Sequence, residues 1–289
     1  MSNNFTLIAE IGCTHIGNID RAKKLALLAK ENGADVVKLQ KRNPYESVPK
    51  SLWDKPHPNQ IFSYGDTYLQ HRINVELNKD AHIEFKEYCK SINIKYATSV
   101  WDMTSAKEMV EIDPAFIKIP SACNNNYDML KYLFDNYNGK IHISLGMTTE
   151  EEREDILRHV YFDFNKVVLY HCTSGYPVPF EQLYIKEIEK LNTLQRENVF
   201  FGIDKPGVGF SNHGFGIAIE IAAYMLGARY FERHFIDDRT FKHTDASCSL
   251  EPQGLHKLSR NLQALEKTLQ FKPETIDNIE MEQRKKLRT

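Results

Sequence analysis

Eight short runs rich in β-branched and aromatic residues alternate with amphipathic stretches along nearly the whole chain, and this rhythm restricts the fold more than any other feature. The strand candidates are Phe5–Ile11, Val36–Gln40, Lys95–Ser99, Phe116–Pro120, Ile141–Leu145, Val167–Cys172 and Tyr230–Phe235. One more lies between Val199 and Ser211, where Val199–Ile203 and Gly207–Ser211 both qualify. Helical segments are expected to begin near Asp20, Asp80, Met103, Tyr127, Thr149, Gln182, Asn212 and Glu251. Asn18 and Asp20, Asp80, and Thr148 or Thr149 with Glu152 behind it supply oxygens that can cap the first amides of three of these helices. Parallel strands require a crossover between them, and eight such βα units imply an α/β fold, a (β/α)8 TIM barrel, with residues 1–289 as a single domain.

Composition narrows the class. The 289 residues are 42% apolar and 26% charged, as in ordinary globular proteins, and the net charge of -2 gives no broad attraction to nucleic acid or membrane. The opening MSNNFTLIAEIG lacks a basic start followed by a long apolar run, and nowhere do 18 apolar residues follow one another, so a cytoplasmic protein is expected. Cys13, Cys89, Cys123, Cys172 and Cys248 are odd in number and scattered, the pattern of free thiols. The stretch from Arg42 to Asn78 is long for a barrel loop and follows the C-terminal end of the second strand, so it is expected to border the site. The charged end Gln283–Thr289 is expected to fray.

Charge placed inside strands points to chemistry. Alternation in Val36-Val37-Lys38-Leu39-Gln40 puts Lys38 on one face with Val36 and Gln40, and turns Val37 and Leu39 towards the helices. Lys118 in Phe116–Pro120 repeats the arrangement. An inward lysine must meet an anion, which is either a phosphate or carboxylate ligand or, as the plainer alternative, Glu10 at the end of the first strand. Hydroxyls of Thr98-Ser99, Ser121, Ser144, Thr173-Ser174 and Ser211 gather where strands end and can cradle phosphate oxygens. Gly207-Val208-Gly209 lacks the third glycine of a dinucleotide fingerprint. His213 and His234 each close a strand segment, and on neighbouring parallel strands both imidazoles can grip one metal ion.

These motifs resemble those of the N-acetylneuraminate (sialic acid) synthase family. The likeness runs through Ile8-Ala9-Glu10-Ile11-Gly12 with His15, Gly33–Gln40, Lys118–Ser121, Ser144–Met147, His171–Ser174 with Tyr176-Pro177, Gly209–His213, Glu232–Phe235, and Asp245 with Ser249–Pro252. It implies a barrel that joins phosphoenolpyruvate to the aldehyde of an N-acylated amino sugar, forming a 2-keto-3-deoxy sugar acid and phosphate. By this resemblance His213 and His234 are ligands to a divalent metal, Mn2+ or Mg2+. Lys38, Ser99, Lys118, Ser121, Ser144 and Ser211 serve phosphoenolpyruvate, Glu10 is the acidic residue at the reacting centre, and Tyr176 and Asp245 lie near the sugar. A homodimer is implied by family likeness alone, and the resemblance leads us to expect a member without the C-terminal antifreeze-like domain. The chain departs from the family pattern at Asn212, Ser174, Pro120, Ala122-Cys123 and Phe241–Asp245, which leaves the phosphoenolpyruvate half intact and the acceptor half altered. Ser174 is kept among the substrate-binding candidates. The alternatives are a metal-dependent lyase acting on a keto-acid sugar, and a catalytically silent barrel subunit.

Overall fold

The computed structural model describes residues 3–200 and 206–288. Eight parallel strands, β1 (Thr6–Gly12), β2 (Val36–Lys41), β3 (Lys95–Val100), β4 (Phe116–Ile119), β5 (Lys140–Ser144), β6 (Val167–Cys172), β7 (Gly207–Asn212) and β8 (Tyr230–His234), pair in chain order and close as β8 meets β1. The α-helices are α1 (Ile19–Glu31), α2 (Pro44–Ser47), α3 (Tyr68–Val75), α4 (Lys79–Ser91), α5 (Met103–Ile112), α6 (Tyr127–Asn136), α7 (Glu150–Val160), α8 (Glu187–Phe200), α9 (Ala218–Met225), α10 (Pro252–Thr268) and α11 (Asn278–Leu287). The TIM barrel read from the alternation is therefore the fold, and among the described residues no helix is long and apolar enough to cross a membrane. All five cysteines are free.

Strand alternation sorts side chains into two apolar groups. Outward residues such as Val37, Leu39, Ile117 and Ile143 pack with Leu25, Met109, Leu133 and Leu258 of the helices into the main core. Inward residues Ile8, Val36, Ala97, Phe116, Val168 and Tyr170 fill the lower barrel. His142 belongs with this filling: its ring stacks on Phe116 at 3.7 Å between centroids, and its Nδ1 lies 2.9 Å from the Tyr170 hydroxyl. Gly209 makes the space for Tyr170, since a Cβ there would stand 2.5 Å from the tyrosine ring. The two glycines of Gly207-Val208-Gly209 thus serve packing.

Several local expectations need correction. Strand seven is Gly207–Asn212; of the rival segment, Val199 and Phe200 belong to α8 and the rest lies outside the described residues. After β6 the chain first makes a short 3-10 turn at Phe180–Gln182, and α8 starts at Glu187 rather than near Gln182. After β7 the helix starts at Ala218 rather than near Asn212, because Asn212 ends the strand and its carboxamide is occupied, accepting from Gly214 N at 2.7 Å and donating to Glu220 at 2.8 Å. The cap of α4 is Asn78, whose side chain accepts from Ala81 N, with Asp80 inside the first turn. Asn18 caps α1 as read, and Thr149 and Glu152 exchange reciprocal bonds at the start of α7. The 42–78 excursion is ordered by α2, α3 and two 3-10 turns.

Candidate active site

Register across the barrel brings charge to its C-terminal mouth. Glu10 lies opposite Lys38 on one side and His234 on the other, Ser99 opposite Lys118, and Ser211 opposite Glu232. These strand ends, with the loops after β4, β5 and β6, line a cavity that opens to solvent. Eleven of the twelve site residues singled out from the sequence line it: Glu10, Lys38, Ser99, Lys118, Ser121, Ser144, Ser174, Tyr176, Ser211, His213 and His234. The twelfth, Asp245, sits beside the wall, with its Oδ2 3.7 Å from His234 Nδ1 and 3.7 Å from His243 Nδ1.

The inward lysines are both paired within the protein. Lys38 Nζ is 2.5 Å from Glu10 Oε2 and 3.7 Å from Glu232 Oε2, and donates to Ser99 Oγ at 2.7 Å. Lys118 Nζ donates to Glu232 Oε1 at 2.6 Å and lies 4.7 Å from the centre of the Tyr170 ring. Internal pairing with Glu10 thus holds for Lys38, whereas the partner of Lys118 is Glu232. Ser211 Oγ also donates to Glu232, at 3.2 Å. Each ammonium carries three N–H donors, so a carboxylate partner leaves donors over for an incoming anion.

Two carboxylates and two ammoniums make this buried cluster neutral overall when all four are ionised. Burial pushes the Glu10 carboxyl upward, only partly opposed by Lys38, and nearby Glu232 adds to the rise. For Glu232 burial also acts upward, but Lys118 and Lys38 overcome it and hold the carboxyl far below the usual range. Lys38 moves up because Glu10 and Glu232 outweigh its desolvation. Glu232 is therefore a fixed anion and Glu10 the carboxylate more open to a proton.

The two imidazoles come together as the strand order requires, 5.3 Å between ring centroids, with the Tyr176 ring 4.3 Å from His213 and 5.9 Å from His234. Burial lowers the His234 pKa to about 3, so its ring is neutral, and its Nδ1 is buried without a hydrogen-bond partner. His213 moves up, because Cys172 and the Thr173 carbonyl outweigh burial; its Nδ1 lies 3.0 Å from that carbonyl, which can only accept. Nδ1 therefore carries a hydrogen. Among the described residues no group of three or more His, Cys, Asp or Glu side chains is arranged to hold a metal ion. What the site offers a cation is a pair of imidazoles and oxygen-rich surroundings, a donor set that fits an ion completing its sphere with water or substrate oxygens.

Several lining residues are not among those the sequence singles out, notably Gln40, Trp101, Met147, Cys172 and Glu232. For Glu232 a signal existed: it stands two residues before His234 in a short strand, hence on the same inward face. Cys172 likewise closes β6 two residues after inward Tyr170, whereas nothing local marks Trp101. The 42–78 excursion touches the site through Arg42, whose Nη2 donates to Gln40 Oε1 at 2.7 Å. It also reaches the loop after β8, where Lys242 Nζ donates to Ser63 O at 2.7 Å.

Known proteins share this architecture and these sequences. N-acetylneuraminate-9-phosphate synthase of Drosophila melanogaster is 34% identical over 88% of this chain, which spans about two thirds (66%) of that protein's length. N,N'-diacetyllegionaminic acid synthase of Campylobacter jejuni is 32% identical over 91% of this chain and 77% of its own. The crystal structure of N-acetylneuraminic acid synthetase from Leptospira borgpetersenii, in complex with citrate, superposes with a TM-score of 0.77 over 99% of this chain and 93% of that one; at 24% identity it speaks for the fold. The NeuB family model matches residues 25–273, which takes in every strand but β1. With that match and relatives above 30% identity over most of its length, the chain belongs to the NeuB family.

Proposed function

We propose that this protein is a synthase that condenses phosphoenolpyruvate with an N-acylated amino sugar or related aldose, yielding a nonulosonic, sialic-acid-like 2-keto-3-deoxy sugar acid and phosphate. The observation that carries the reading is the convergence of Lys38, Lys118, Glu10, Glu232, His213 and His234 on one cavity at the C-terminal mouth of the barrel. The names of the Drosophila and Campylobacter relatives, both synthases of nonulosonic acids, support it.

C3 of the enol phosphate forms the new bond to the aldehyde carbon, water adds at C2, and the C2–O bond breaks as phosphate leaves. Lys38 and Lys118 share their remaining N–H donors with the phosphate and carboxylate of phosphoenolpyruvate and offset charge on the departing phosphate. Ser99, Ser121, Ser144 and Ser211 add neutral donors around the same anion, and Ser174 and Tyr176 line the acceptor side, with Asp245 beside the wall next to His234. Glu10, the carboxylate whose burial leaves it open to a proton, takes or gives the proton of the water or sugar hydroxyl. His213 and His234 would hold a divalent ion, Mn2+ or Mg2+. Such an ion supplies Lewis-acid polarisation of the aldehyde oxygen and a template for both reactants.

Phosphate release from phosphoenolpyruvate, assayed with Mn2+ or Mg2+ and a panel of aldoses, tests the reading. Release that requires one sugar and vanishes in His213→Ala supports it. Conversion of a keto-acid sugar to pyruvate without phosphate would replace it with a lyase, and absence of both activities and of metal uptake would leave a silent barrel.

A further inference from the structure

The two ends of the Gln40 carboxamide face opposite partners. Its Oε1 accepts from Arg42 Nη2 at 2.7 Å, and its Nε2 donates to Glu10 Oε1 at 3.0 Å. A guanidinium has only donors, so the end of the amide that meets Arg42 must be oxygen, and the end that meets Glu10 must then be NH2. The second oxygen of Glu10 meets Lys38 Nζ at 2.5 Å. Both oxygens of Glu10 therefore face donors, one of them oriented by a residue that does not line the cavity.

Arg42 is fastened from outside. Its guanidinium stacks 3.3 Å from the centre of the Trp101 ring, its Nε lies 3.9 Å from Glu76 Oε1, and its backbone N donates to Glu76 Oε2 at 3.2 Å. Glu76 follows α3 directly, so the excursion leaves β2 at Arg42 and returns to it across one carboxylate. Glu76 also pairs with Arg72, and Asn43 N donates to Asp102 Oδ2 at 2.7 Å, fixing the base of the excursion to the cap of α5. Gly12 keeps the space open: at φ +60° it is suited to glycine, and a Cβ there would stand 3.3 Å from both Gln40 Nε2 and Glu10 Oε1.

Resting on the synthase reading above, we infer that Arg42 is a positioning residue. Through the Gln40 amide it sets the Glu10 carboxylate in its working orientation, and the 42–78 excursion exists in part to hold Arg42. A double-mutant cycle tests this. Arg42→Met and Gln40→Leu should each lower kcat for phosphate release by about 10-fold or more while KM for phosphoenolpyruvate stays within about 2-fold, because only orientation is lost. The double variant should be no slower than the slower single, and Arg42→Lys, again a donor without acceptors, should recover most of the rate. Effects that multiply, or a rise in KM at unchanged kcat, would overturn the inference while leaving the synthase reading in place. A wild-type protein that releases no phosphate with any acceptor overturns the synthase reading instead. The positioning is then decided by a crystal structure of Arg42→Met: Gln40 parted from Glu10 beyond hydrogen-bonding distance supports it, and an unchanged contact refutes it.

Discussion

The lower and upper halves of the barrel lining are built on the same strands, two residues apart, and do different work. Going up one inward step, Ile8 gives way to Glu10, Val36 to Lys38, Ala97 to Ser99, Phe116 to Lys118, Tyr170 to Cys172 and Tyr230 to Glu232. The lower positions fill space without charge, all of them buried except Tyr230, which is partly so. The upper ones are also buried, with Glu10, Lys38 and Lys118 each at most 3% exposed, yet four of the six, these three and Glu232, carry charge that must be neutralised across the barrel. A closed sheet therefore separates stability from chemistry by a single pleat repeat, about 7 Å along the strand. The rigid lower layer is what allows ionised groups above it to be held at fixed distances.

The largest expected effect sets the two layers apart. Lys118→Met should weaken phosphoenolpyruvate binding by roughly 100-fold and, by leaving buried Glu232 with only the more distant Lys38 as counter-charge, cost up to about 3–5 kcal/mol of stability. Adding Glu232→Gln should restore much of that stability but none of the affinity. Calorimetric titration and denaturant unfolding read the two separately, and wild-type affinity in Lys118→Met would remove that lysine from the anion site. In the lower layer, Phe116→Ala should cost a similar 3–5 kcal/mol through the cavity left under His142, while the folded protein keeps its affinity for phosphoenolpyruvate. A large loss of affinity in that variant would mean that the layers are not independent.

Gly209→Ala sharpens the contrast, since its new Cβ has no room beside Tyr170 and should cost about 1–3 kcal/mol by overpacking, visible as a lowered Tm. An unchanged Tm would show that the lower layer yields more readily than its packing suggests. The smallest effect lies outside the barrel. Asp237 pairs with Arg21 at 2.8 Å and Lys24 at 2.9 Å, and although partial burial acts upward, these cations hold its carboxyl below the usual range. Because the folded value is depressed, this stabilisation is complete above the unfolded carboxyl pKa and is lost as pH falls through the folded one. Asp237→Asn should therefore cost at most about 1 kcal/mol at neutral pH, and the difference from wild type should shrink as the solution is acidified below about pH 4. A constant difference across that range would assign the effect to packing.

Much of the site was legible because strand alternation is local. The inward turn of Lys38 and Lys118 follows from neighbours two residues away, and the placement of His213 and His234 follows from strand order once the sheet is parallel. What local pattern did not reveal was pairing across the barrel. Glu232, 114 residues beyond Lys118, is that lysine's carboxylate partner, whereas the sequence offers only Glu10 as an internal partner. The helix starts after β6 and β7 lie later than the sequence places them: a 3-10 turn at Phe180–Gln182 precedes α8, and Asn212 closes β7 with its carboxamide committed to Glu220 and Gly214.

By itself the sequence determined the alternation of strands and helices, the face on which each strand residue lies, and the order in which charged and hydroxylated residues reach the strand ends, since all three depend on spacing along the chain. Closure of the sheet decided the rest: which carboxylate neutralises which lysine, how near the two imidazoles stand, and that Arg42 reaches Glu10 only by way of Gln40. Those distances depend on the relative stagger of strands far apart in sequence, and burial makes them binding, because an ammonium or carboxylate removed from water must find its counter-charge wherever the closed barrel places it.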